Sequence, residues 1–148
     1  MNRRDALMTS GAMVASASLG AIACGTRNAV AQAPHGQRRG EPGLIDASFE
    51  CLKTGEACLD HVATTLSSGD TMMAGCMTTV RDMLAVMGAL SKLATANSKS
   101  LPGAARLAIE SCGACEAECR KHAEMHVICR DCADACLKTV AAAKKLVG

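Results

Sequence analysis

The chain has no tryptophan, no tyrosine and one phenylalanine, Phe49. A core without aromatic rings has to be assembled from Ala, Leu, Val, Met and Cys. Neither charge sign dominates: 16 basic and 14 acidic residues leave a net +2. That excess is too small to argue for a nucleic-acid or anionic-membrane partner. There are four histidines, no nucleophile elbow and no phosphate-binding glycine loop, so the chain does not read as an enzyme. From Leu44 onward no segment alternates like a strand.

A convincing membrane span is also missing. The apolar stretch Ala6–Ala23 is too rich in Gly, Ser and Ala. It reads instead as part of an export signal over residues 1–33. Asn2-Arg3-Arg4-Asp5 resembles a twin-arginine motif, with Leu7 as the only large apolar residue close behind it. Ala29-Val30-Ala31 and Ala31-Gln32-Ala33 are candidate cleavage sites, and Pro34 favours the first. Ala21 stands where a lipidation site prefers Leu, which argues against lipid attachment at Cys24. The expectation is an exported, periplasmic protein. Residues 34–43, with two prolines and three glycines, read as a flexible tether, and 44–148 as the folded domain.

What the chain has in quantity is sulfur: ten cysteines and nine methionines. Cleavage of the leader leaves nine cysteines. Six fall in two runs, CGACEAEC (Cys112, Cys115, Cys119) and CRDCADAC (Cys129, Cys132, Cys136). Both have the i, i+3, i+7 spacing that places three side chains on one helical face. If the chain reverses near Glu124, Cys119 faces Cys129, Cys115 faces Cys132 and Cys112 faces Cys136.

Helix signals extend the pattern. Helices are expected at 44–67, from Asp70 or Thr71 to about 95, from Ser100 to about 122, and from about 124 to 146. Short connections make neighbours antiparallel, so the fold class is all-α, an antiparallel up-down four-helix bundle with a cysteine-lined core. Cys51 and Cys58 join the inner stripe from the first helix and Cys76 from the second. Reflecting the helices about their turns places Cys119 and Cys129 nearest one end, then Cys76, then Cys115 and Cys132. Cys58 follows, then Cys112 with Cys136, and last Cys51 opposite Met87. The sulfurs then span roughly 20 Å at 1.5 Å per residue. Leu and Ala plug the far end. His61, Met72, Met73, His122, Met125 and His126 ring the near end, an expected metal entrance. Met83 and Met87 read as core filler.

One buried cysteine is ordinarily a small hydrophobe, but nine on one surface carry an oxidation hazard with no gain in volume. Disulfides suit exported proteins, yet the mature count is odd and i, i+3 or i, i+4 thiols on one helix are poorly placed to bond. Structural zinc uses four ligands once and leaves five sulfurs unexplained. Iron–sulfur ligation by a cysteine before proline is not available here, because no Cys precedes Pro. Thiophilic Cu(I), held by two or three sulfurs and bridged by thiolates, uses them all. A zinc-binding or thiol-redox helical module stays open as the alternative.

The leader, Gly55-Glu56-Ala57-Cys58-Leu59-Asp60-His61, Met72-Met73 ahead of Cys76, and the paired cysteine runs together resemble the exported copper storage proteins. The resemblance spans roughly residues 45–147. It implies a bundle storing several Cu(I) ions on Cys51, Cys58, Cys76, Cys112, Cys115, Cys119, Cys129, Cys132 and Cys136. Entrance residues would be His61 and Met73, with Met72 and His122 beside them. It also implies a homo-oligomer, and copper-requiring enzymes or copper chaperones as partners alongside the ions.

Overall fold

The computed structural model describes residues 41–148, and the leader, Cys24 and most of the expected tether lie outside them. Four α-helices follow in order: α1 Pro42–Ser67, α2 Ala74–Thr95, α3 Leu101–Arg120 and α4 Val127–Val147. No strand occurs among the described residues. α1 and α3 each pack on α2 and α4, while the diagonal pairs keep their backbones apart. The result is a four-sided bundle around a central channel of side chains. None of these helices is long and apolar enough to cross a membrane.

Proline opens two of the helices, as Pro42 in α1 and Pro102 in α3, where a missing N–H costs no helical bond. Two residues in left-handed conformation close the turns at the other ends. Gly69 has φ 91° just past α1, and Asn97 has φ 49° just past α2.

The boundaries depart from expectation where side chains favour turns. α2 begins at Ala74, later than Asp70 or Thr71, because Asp70 Oδ1 accepts the Met72 N–H at 3.0 Å and forms a local turn. α3 stops at Arg120, and residues 121–126 make a longer connection before α4 starts at Val127. α1 starts at Pro42, so the last two residues assigned to the tether are helical.

Leu44, Leu90, Ala94, Leu101, Ala105 and Ala143 are buried where α1 and α3 begin and α2 and α4 end. They close that end of the channel, as expected. Thr139 is fully buried on α4; its hydroxyl donates to Ala135 O at 3.0 Å or to Ala47 O on α1 at 3.2 Å. At Gly55, α1 approaches α2 so closely that a Cβ would stand 2.6 Å from Met83 Cε and 2.9 Å from Leu84 Cδ2. Charges stay outside: Arg120 joins Glu116 at 2.8 Å and, across to α4, Asp134 at 2.6 Å.

Candidate metal centre

All nine cysteines of the described residues are free and fully buried. α1 contributes Cys51 and Cys58, and α2 contributes Cys76. α3 supplies Cys112, Cys115 and Cys119, and α4 supplies Cys129, Cys132 and Cys136. The seven-residue step from Cys51 to Cys58 repeats the outer step of the other two runs, so each set keeps to one helical face.

Among the described residues three sulfur triads lie within 4.8 Å: Cys51/Cys112/Cys136, Cys58/Cys119/Cys132 and Cys115/Cys132/Cys136. Cys132 and Cys136 belong to two triads each, which links the three into one chain of sites. Individual contacts are 3.8 Å for Cys51–Cys136, 4.0 Å for Cys58–Cys119, and 3.9 Å for both Cys115–Cys119 and Cys115–Cys132. α1 and α3 do not touch through their backbones, yet their cysteines meet across the middle of the bundle.

Two of the three expected cross-helix pairs, Cys115 with Cys132 and Cys112 with Cys136, come together. The third does not. Cys119 sits against Cys58, Cys115 and Cys132, whereas the neighbours acting on Cys129 are Cys58 and Cys76. The layer order is also corrected. Cys58 lies level with Cys119, and Cys51 level with Cys112 and Cys136, about six residues, or between one and two helical turns, from where reflection about the turns places them. Cys51 meets Met83 at 3.4 Å, and Met87 instead meets Cys112 at 3.9 Å. The reason lies in unequal helix ends. α1 and α3 run parallel, and Cys58 and Cys119 are 61 positions apart, as are Cys51 and Cys112. At that offset α1 runs about two turns past the end of α3, so the two turns at this end are not level.

The thiols form a donor–acceptor network. Cys51 is lowered to about 4, chiefly by S–H donation from Cys112 and then Cys136. Cys58 is lowered to about 4 by Cys119 and then Cys132. Cys115 and Cys76 are also lowered, each chiefly through Cys119. The donors are correspondingly raised: Cys119 by bonding Cys115 first, Cys132 by Cys115, and Cys136 by Cys112. Cys112 is drawn down by Cys136 but raised on balance by its bond to Cys51 and by burial. Cys129 is pushed up to about 12, by burial first and then by the charges on Cys58 and Cys76. When Cys51 carries a proton it donates to Met83 Sδ. When it has lost that proton, two unprotonated sulfurs are left in contact. Each triad therefore joins one cysteine whose pKa is lowered to two whose pKa is raised, and a metal cation can take the place of the shared protons.

The entrance residues divide. His61 Nε2 lies 3.0 Å from His126 Nδ1, with ring centroids 4.8 Å apart. His122 is buried and its Nε2 has no partner among the described residues. Met73 is buried, whereas Met72 is 68% exposed and Met125 66% exposed. Met72 thus points to solvent, because it lies in the turn ahead of α2 and not on the inner stripe that Met73 begins. Met83 and Met87 both read as filler in the sequence, with Met87 opposite Cys51, so the pairing of Met83 with Cys51 and of Met87 with Cys112 is not anticipated there. The signal was available, since Met83 follows Cys76 by seven positions on the same face.

A bundle whose inner wall is nine reduced cysteines belongs to the class of thiolate-lined metal-binding helical proteins. The profile of the copper storage protein family matches residues 37–148, and the chain belongs to that family. Among solved structures it is similar to the copper storage protein Ccsp from Streptomyces lividans, loaded with 10 copper equivalents. The identity is 26% and the TM-score 0.65, over 82% of this chain and 93% of that one. No curated protein sequence matches the chain.

Proposed function

We propose that this protein stores several Cu(I) ions per chain on cysteine thiolates inside the bundle, sequestering copper or supplying it to copper-requiring proteins. The observation that carries this reading is the chain of three buried sulfur triads sharing Cys132 and Cys136. Three soft sulfurs suit a d10 ion that accepts low coordination, and shared thiolates let neighbouring ions be bridged. Tetrahedral zinc asks for a fourth ligand in each closed site. The role is binding, not catalysis, since fully buried thiols are poor nucleophiles toward outside substrates.

The Arg3-Arg4 leader supports a route in which the bundle folds in the reducing cytoplasm and crosses to the periplasm with its thiols intact. Assembly into a homo-oligomer belongs to the same reading. Metal analysis of protein purified from copper-fed cells tests it. Several copper ions per chain and little zinc are expected; a single zinc would replace storage with a structural-zinc module.

A further inference from the structure

Met83 and Met87 are the fully buried methionines on the α2 stripe that also carries Cys76. As filler they could present any atom to their surroundings. In both, the thioether sulfur faces a thiol: Met83 Sδ lies 3.4 Å from Cys51 Sγ, and Met87 Sδ lies 3.9 Å from Cys112 Sγ. The methyl of Met83 goes the other way, into the slot left by the missing side chain of Gly55, where a Cβ would come within 2.6 Å of it. The backbone of α1 therefore helps to aim the Met83 sulfur. Cys51 and Cys112 are in turn two members of the triad completed by Cys136, nearest the closed end.

From this arrangement we infer that Met83 and Met87 are copper ligands, making the closed end of the channel a mixed thiolate–thioether Cu(I) site. The inference rests on the storage reading and deepens it. Two sulfurs about 2.3 Å from one d10 ion stand no more than about 4.6 Å apart, and both thioether contacts fall inside that limit. Thioethers are soft, neutral donors that favour Cu(I). They have no proton to lose, so a site completed by a thioether buries less negative charge than one completed by a further thiolate.

Selenium absorption spectroscopy tests this directly. The full chain is produced with selenomethionine and loaded anaerobically with Cu(I) to saturation. Copper at bonding distance from selenium is expected, and the amount of copper-bound selenium falls in the M83L/M87L chain. That chain should also hold about one to two fewer Cu(I), with its apo helicity retained because Leu conserves the volume. If the wild-type chain holds several copper ions and no copper neighbours selenium, Met83 and Met87 are packing and the inference fails while storage stands. An undiminished signal in M83L/M87L assigns it wholly to the entrance methionines and also overturns the inference. A wild-type chain that holds no more than one Cu(I) overturns both.

Discussion

Replacing Cys132 with alanine should cost the protein more copper than replacing Cys76, although both side chains are fully buried. Cys132 takes part in two of the three triads, and Cys76 in none. Its removal leaves Cys58/Cys119 and Cys115/Cys136 as two-sulfur remnants. The expected loss is about two tightly held Cu(I) per chain, against one at most for Cys76→Ala. The fold should tolerate either change. Removing one buried sulfur costs on the order of 1–2 kcal/mol, within the roughly 5–15 kcal/mol by which domains are stable. Anaerobic titration of each reduced chain against a colorimetric Cu(I) chelator reads the capacities, and circular dichroism of the apo forms checks the fold. Equal losses from the two variants, with both folded, would refute the shared-triad account.

Thr139→Val removes a buried donor that serves Ala135 O or Ala47 O, and should lower apo stability by about 0.5–1.5 kcal/mol in urea unfolding; an unchanged midpoint refutes it. Gly55→Val forces atoms into the α1–α2 contact and should cost about 1–3 kcal/mol. A variant melting at or above wild type would show that the contact is loose. In pH dependence, Cys129 is raised from 9.0 to about 12, so the fold favours its protonated form. Its contribution is complete below pH 9 and is lost as pH rises through 12. Urea midpoints of the apo bundle should fall from pH 8 to pH 11; a flat or rising midpoint contradicts the raised thiol.

The cysteine spacing made the helices and their inner faces legible, because thiols at i, i+3 and i+7 are as periodic as any apolar stripe. All nine cysteines read as inward are buried, and the Leu and Ala residues read as the plug close one end. What the spacing does not encode is the axial offset between helices. That depends on how far each pair of helices runs before turning, and α1 overshoots α3 by about two turns. The overshoot moved Cys51 and Cys58 into the triads of α3 and α4. Turn chemistry was hidden for a related reason: Asp70 serves as well in a local turn as in a cap, and only the backbone geometry separates the two. Met72 and Met73 are adjacent and alike in composition, yet one is exposed and the other buried, since helical phase begins to sort side chains only where the inner stripe starts.

The central claim is that the nine thiols act together as a reservoir for several Cu(I) ions. The stoichiometry of Cu(I) binding by the fully reduced chain, with free thiols counted before and after loading, tests it most directly. Several ions per chain are expected, up to a ceiling near one per cysteine, with all nine thiols titratable before loading and protected after it. Saturation at one ion, or a preference for a single Zn2+ over Cu(I), would contradict it.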